Sequence, residues 1–134
     1  MTGEEARAIT VEREMPHPPE KVWRALTQPH LIAEWLMRND FRPELHHRFS
    51  VSAEWGAVDC EVRAIEPNRL LSYSWDTKDL RSIITFTLEP TQKGTRLRME
   101  QTGFRAGQEA YYRGATIRWP QFIATLEEVA GRLD

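Results

Sequence analysis

The chain has few of the features that mark a covalently cross-linked, membrane-spanning or phosphate-binding protein. It contains one cysteine, Cys60, in 134 residues, so no disulfide can form within it. No segment has the ~18 consecutive apolar residues that a membrane-spanning helix needs. Residues 1–8 have no apolar run of the kind found in signal peptides, and no glycine-rich loop is present to hold a phosphate. We therefore expect a cytoplasmic protein with no membrane partner.

Charge of either sign is not in excess. The 18 basic and 20 acidic side chains are interleaved and give a formal net charge of −2 at pH 7. Because nucleic acids attract proteins through a field of one sign, we predict no nucleic-acid partner. A chain of this length is predicted to form one domain, 1–134, around a single core.

Residues that could bind a metal or carry catalysis are scattered along the chain. His46 and His47 are neighbours on a predicted strand, so they would point to opposite faces and could not chelate one ion together. Cys60 has no base nearby in the sequence, and a free cysteine is usually a small buried hydrophobe. We predict no metal site, no cofactor and no catalytic residue. A cyclase or dehydratase would instead require Asp59, Arg63 or His46 to converge inside a cavity.

Most of the chain between Arg48 and Phe104 is predicted to be β-structure. A first strand, 8–15, is followed by two short helical patterns that begin near Pro19 and His30. Alternating apolar residues then predict five further strands, which include residues 49–53, 58–65, 71–75, 84–88 and 97–99. The segment 101–103 is predicted to leave the sheet. Six strands at short, regular spacing are typical of one strongly curved antiparallel sheet.

The last part of the chain, 109–133, predicts one long amphipathic helix. Its apolar residues recur at intervals of three and four: Tyr111, Ala115, Trp119, Phe122, Leu126, Val129 and Leu133. Pro120 interrupts the pattern, because a proline inside a helix removes a backbone hydrogen bond and costs ~3 kcal/mol. Either the helix kinks there or a new helix begins. A long helix laid across a curved sheet tends to enclose a cavity, and such cavities bind ligands.

Aromatic residues from the short helix, the concave face of the sheet and the long helix are the strongest functional candidates. Core packing would account for most of them. Tyrosine and tryptophan also carry polar tips that need hydrogen-bond partners, which a ligand cavity supplies better than a dry core does. The ligand-binding residues predicted on this basis are Trp35, Tyr73, Trp75, Phe86, Met99, Tyr111, Trp119 and Phe122. Arg118 beside them could reach a ligand carboxylate at the pocket mouth or simply extend into water.

Six short sequence motifs follow one another in a distinctive order. They are Ile9-Thr10-Val11-Glu12, Val22-Trp23-Arg24-Ala25-Leu26-Thr27, Ile65-Glu66-Pro67 with Arg69-Leu70, Gly94-Thr95-Arg96-Leu97, Thr102-Gly103-Phe104 and Trp119-Pro120-Gln121-Phe122, and the single residue Trp35 lies between the second and the third. In this order the chain resembles the SRPBCC or START-like superfamily, and more narrowly the bacterial branch named after the activator of the heat-shock-protein-90 ATPase. The resemblance implies the α+β Bet v 1-like helix-grip fold, in which a curved antiparallel sheet wraps around a long C-terminal helix and two short helices follow the first strand.

The resemblance leaves three classes of function open, because the superfamily includes carriers, cyclases and chaperone activators. The first is a binding protein for a small apolar or aromatic molecule held in an internal cavity. The second is an interaction module with a chaperone partner, which the branch name alone suggests. The third is an enzyme of cyclase or dehydratase type.

Overall fold

The computed structural model describes residues 7–54 and 56–134. Within these residues the strands are β1 (Arg7–Met15), β2 (Arg38–Asn39), β3 (Arg48–Ala53), β4 (Gly56–Glu66), β5 (Leu70–Asp76), β6 (Arg81–Pro90) and β7 (Thr95–Phe104), and the helices are α1 (Pro19–Thr27), α2 (Pro29–Trp35) and α3 (Glu109–Gly131). The strands form one antiparallel sheet in the order β1-β7-β6-β5-β4-β3-β2. The α+β helix-grip arrangement that the sequence predicts is confirmed.

Prolines set the limits of the two short helices. Pro19 occupies the first turn of α1, where its missing N–H costs nothing and its fixed φ suits a helix. Gln28, which precedes Pro29, is extended with φ −97° and ψ 123°, because the proline ring disfavours a helical residue before it. α1 therefore ends and α2 begins at this point, and the pair lies between β1 and β2 in the chain.

The sheet differs from the sequence-based prediction in two places. β2 has only two residues, too few for an alternating pattern to reveal, so the sheet has seven strands among the described residues instead of six. The prediction that residues 101–103 leave the sheet is wrong. Thr102 is paired with Ala8 of β1 on one side and with Ile83 of β6 on the other. Backbone pairing on both sides outweighs the local preference of Thr-Gly for a turn.

α3 runs without interruption through Pro120, so no new helix begins there. It contacts α1, α2 and β1, and its buried residues are Trp119, Ile123, Leu126, Val129 and Ala130. The first ten residues of the helix contribute nothing fully buried, which places its N-terminal half at the margin of the core. No helix in the described part of the chain is long and apolar enough to cross a membrane.

The apolar stripe predicted for α3 is displaced at its beginning. Tyr111, a member of that stripe, is 39% exposed. Its neighbour Tyr112 instead packs edge-to-face on Phe104, with ring centroids 5.5 Å apart. Ile123, which the predicted stripe omits, is completely buried. The helix therefore uses one face for the core in its C-terminal half and a slightly rotated face at its N-terminal end.

Candidate functional site

A pocket of about 260 Å³ lies between the N-terminal half of α3 and the loop that joins β5 to β6. We call it the α3 pocket. One of its walls consists of helix residues spaced by three and four, which place them on one face of α3: Ala110, Tyr111, Gly114, Ala115, Arg118, Trp119 and Phe122. The opposite wall comes from the sheet and adjoining loops: Met37, Val58, Trp75, Thr77, Leu80, Gln101 and Phe104.

Three aromatic rings in contact form the apolar part of the α3 pocket. The Trp75 and Trp119 ring centroids are 5.6 Å apart with planes inclined by 60°, and those of Trp119 and Phe122 are 5.4 Å apart with planes inclined by 77°. Such edge-to-face contacts match the positive edge of one ring to the negative face of the next. The rings present a fixed aromatic surface to anything that enters the pocket.

A chain of buried hydrogen bonds holds Trp119 against the sheet. Trp119 Nε1 donates to Gln101 Oε1 at 2.8 Å, Gln101 Nε2 donates to Ser82 Oγ at 3.0 Å, and Ser82 Oγ donates to the Trp75 carbonyl at 2.6 Å. An indole N–H can only donate and a carbonyl can only accept, so the direction of every bond in the chain is fixed. The amide of Gln101 retains one N–H that takes no part in this chain.

Thr77 contributes a second polar group to the sheet-side wall. Its backbone N–H donates to the Leu80 carbonyl at 2.9 Å, which fixes the turn between β5 and β6. Its side-chain Oγ1 is buried and has no hydrogen-bond partner among the described residues. A buried hydroxyl without a partner destabilises a protein by about 1–3 kcal/mol, so this atom is an exception to the usual satisfaction of buried polar groups.

The two elements that border the α3 pocket are joined near the start of the helix. Gln108 Nε2 donates to the Asp79 carbonyl at 2.7 Å, and the Tyr111 hydroxyl lies 3.5 Å from Asp79 Oδ2. Arg118, on the pocket-lining face, is exposed. It is the single charged side chain among the lining residues of the described chain, so the interior of the pocket is neutral.

The structure divides the eight residues predicted from the sequence into two groups of four. Trp75, Tyr111, Trp119 and Phe122 line the α3 pocket, and the remaining four lie in the core without lining it: Trp35, Tyr73, Phe86 and Met99.

The core group is held by internal packing and hydrogen bonds. Trp35 Nε1 donates to the Ala25 carbonyl at 2.8 Å, and the Trp35 ring packs edge-to-face on Phe86 at 6.1 Å. Burial raises the pKa of the Tyr73 hydroxyl well above its usual value, and the adjacent Cys60 raises it further. The polar tips of Trp35 and Trp119 thus have hydrogen-bond partners within the protein and do not require a ligand.

Sequence reasoning missed several lining residues, of which Gln101 and Thr77 matter most because they are polar. A signal for Gln101 was present. It continues the inward-facing alternation of Leu97 and Met99 on β7, and all three side chains are buried. For Thr77 no signal exists in the sequence, since a threonine in a loop between two strands is ordinarily solvated.

The residues considered for metal binding or catalysis do not converge on the α3 pocket. Within 7–54 and 56–134, no three histidine, cysteine or carboxylate side chains are grouped to hold a metal ion. Asp59, Arg63 and His46 are exposed. Cys60 is buried, and its pKa is raised by desolvation and, secondarily, by nearby carboxylates of which Asp76 contributes most. The Cys60 thiol is therefore protonated and unsuited to act as a nucleophile.

The fold and the pocket define a helix-grip protein of the Bet v 1-like class. Residues 16–131 match the sequence profile of the family described as Activator of Hsp90 ATPase homolog 1-like protein. The chain belongs to this family, which confirms the family resemblance noted in the sequence.

Solved structures with the same fold include one of high sequence similarity. Protein MLL2253 from Mesorhizobium loti is 58% identical with a TM-score of 0.93, and the alignment covers 96% of this chain and 99% of that one. Protein BH1534 from Bacillus halodurans is 26% identical with a TM-score of 0.82, covering 92% and 96%. CalU16 from Micromonospora echinospora is 21% identical with a TM-score of 0.81, and the alignment covers 98% of this chain and 81% of that one. At this level of identity the similarity shows a shared fold only. No curated protein sequence gives a significant match.

Proposed function

We propose that the protein binds a small apolar or aromatic molecule in the α3 pocket. The size of the pocket supports this proposal. An apolar cavity of about 150 Å³ is enough to bind benzene, so the 260 Å³ of the α3 pocket suits one or two fused rings. Longer lipids would extend beyond it.

The observation that carries the proposal is the contact surface of Trp75, Trp119 and Phe122. Aromatic ligands gain dispersion energy against such rings, and each atom pair at optimal distance contributes about 0.1–0.2 kcal/mol. Gln101 at the buried side of the pocket adds a polar group that can orient a ligand, and Arg118 at the edge is exposed to solvent. Ligand pockets in proteins typically combine a mainly apolar lining with a few placed polar groups.

The two alternatives have less support. The family description names a chaperone activator, but the large apolar residues exposed in the described surface are Leu45 in the loop before β3 and Tyr111 and Ile117 on different faces of α3. Single exposed apolar residues are ordinary, and a docking surface needs a contiguous patch. A cyclase or dehydratase needs a general acid or base, and the lining of the pocket contains no carboxylate, histidine or cysteine among the described residues.

Blocking the α3 pocket from within is expected to abolish binding. A Cβ atom added at Gly114 contacts nothing within 4 Å, so Gly114→Leu extends a side chain into open pocket space. Leucine also favours a helix over glycine, by somewhat less than the roughly 0.8–1 kcal/mol that separates alanine from glycine, so this variant should fold. Titration with naphthalene and related one- and two-ring probes, followed by tryptophan emission, should give saturable quenching in the original protein and at least tenfold weaker binding in Gly114→Leu.

Thr116→Leu is the matched control for this experiment. Thr116 is exposed on the same half of α3 and does not line the pocket, so the variant should bind the probes as the original protein does. The proposal is wrong if no probe binds with a Kd below roughly 100 μM, about 5.5 kcal/mol, or if all three proteins bind alike. A chaperone partner, sought by capture of the chaperone on the immobilised protein, would then be the leading hypothesis.

A further inference from the structure

We propose that Thr77 and Gln101 make the α3 pocket selective for a neutral aromatic ligand that carries a hydroxyl or carbonyl oxygen. This inference rests on the proposed function and adds the chemical class of the ligand. Both residues belong to the sheet-side wall, behind the aromatic surface of Trp75 and Trp119.

The unpaired hydroxyl of Thr77 favours a ligand with a polar group. Valine has the same shape without the hydroxyl and would avoid the desolvation penalty of a buried, unpartnered oxygen. The hydroxyl therefore lowers stability and gains no hydrogen bond within the described residues. A rotation of about 120° about its Cα–Cβ bond moves the hydroxyl to another staggered position, while the backbone stays fixed by the hydrogen bond to Leu80. The hydroxyl can then donate to, or accept from, a group inside the pocket.

Gln101 has one amide hydrogen that the hydrogen bonds to Trp119 and Ser82 do not use. Trp119 occupies one lone pair of Oε1, and Ser82 takes one of the two Nε2 hydrogens. The other N–H is a donor on a side chain that is 1% exposed and lines the pocket. A ligand oxygen satisfies such a donor, whereas a bare hydrocarbon leaves it unpaired.

Charge decides between a neutral and an ionised ligand group. Thr77 and Gln101 are both neutral, and a carboxylate placed beside them would lose its hydration without gaining a counter-charge. Arg118 carries charge but is exposed at the helix-side edge. A phenolic hydroxyl or an aryl ketone oxygen therefore fits the buried side of the pocket better than a carboxylate does.

Thr77→Val tests this inference with three two-ring probes: naphthalene, 2-naphthol and 2-naphthoate. The original protein is expected to bind 2-naphthol about tenfold more tightly than naphthalene, and 2-naphthoate no better than naphthalene. Thr77→Val should lose most of the preference for 2-naphthol, so that the ratio of its affinities for 2-naphthol and naphthalene falls towards one. Its thermal midpoint should equal or exceed that of the original protein, since no hydrogen bond is lost.

Thr95→Val serves as the control. The Thr95 hydroxyl donates to the His17 carbonyl at 2.7 Å and does not line the pocket, so this variant should lower the thermal midpoint and leave the preference for 2-naphthol intact. Equal loss of both probes in Thr77→Val, no loss of either, or tighter binding of 2-naphthoate would each overturn the inference while the proposed function stands. Failure of the original protein to bind any probe would overturn both.

Discussion

Replacing Trp119 by alanine is expected to lower the free energy of unfolding by about 3–5 kcal/mol, the usual cost of removing a buried tryptophan. Trp119 is 2% exposed and packs on Trp75, Phe86 and Phe122. The substitution also leaves Gln101 Oε1 without its donor, and an unpaired buried acceptor adds to the cost. Urea unfolding of the two proteins, followed by circular dichroism, measures the difference.

The same variant is expected to weaken probe binding in the α3 pocket, and Trp23→Ala provides the comparison. Trp23 lies on α1, is partly buried and does not line the pocket. Loss of its ring should reduce stability but leave probe affinity within about twofold, since 0.4 kcal/mol corresponds to twofold. If Trp23→Ala weakens binding as much as Trp119→Ala, or if Trp119→Ala costs less than about 1 kcal/mol of stability, the assignment of Trp119 to the wall between core and pocket is wrong.

Gly94→Ala is expected to destabilise the protein by about 2–6 kcal/mol, combining about 1–3 for a strained backbone with about 1–3 for overpacking. Gly94 is the last residue of the loop before β7 and has φ +155°, a region that residues with a side chain rarely adopt. A Cβ atom there would lie 2.5 Å from the amide nitrogen of His17 and would also collide with the Met15 carbonyl. These are backbone atoms, so the chain must shift. A large fall in thermal midpoint is the expected result.

Gly114→Ala is the control for Gly94→Ala, because it also replaces a glycine but at a site with room for the added side chain. Nothing lies within 4 Å of the added Cβ, and the residue is inside α3. Alanine there should raise stability by roughly 0.5–1 kcal/mol, because glycine is a poor helix former. Similar effects of the two substitutions, measured by thermal unfolding, would contradict the close approach of β7 to the segment after β1.

Apart from the two-residue β2, the order of helices and strands follows from local patterns in the sequence. Alternation over residues 84–88 and spacing over 119–129 each report which side of an element is buried, and the structure buries those sides. Pro29 separates two short helices because its ring disfavours a helical conformation at the preceding residue, an effect that needs no tertiary contact. The local pattern gives the wrong secondary structure where pairing with other strands determines it. Thr102 is an example, because β1 and β6 pair with it on both sides and hold it in the sheet.

The candidate site was less predictable. The sequence pattern shows which residues face inward, but it does not distinguish those that pack in the core from those that line a pocket. Phe86 and Trp75 are both inward-facing on adjacent strands, yet only Trp75 lines the α3 pocket. The difference depends on where α3 begins and on how Gln108 joins it to the β5–β6 loop. The hydrogen bond between Gln101 and Trp119 could not be predicted either, because the two residues are 18 positions apart and meet only in the folded protein.

The indole N–H signals of the tryptophans, measured by nuclear magnetic resonance, show where in the protein a ligand binds. On addition of a two-ring aromatic probe, the signals of Trp75 and Trp119 are expected to shift with saturation, because their rings line the α3 pocket. The signal of Trp35 should stay in place, since its N–H is bonded to the Ala25 carbonyl in the core. Single Trp→Phe variants assign the signals. Saturable shifts of Trp35 that equal or exceed those of Trp75 and Trp119 would contradict a ligand site at the α3 pocket.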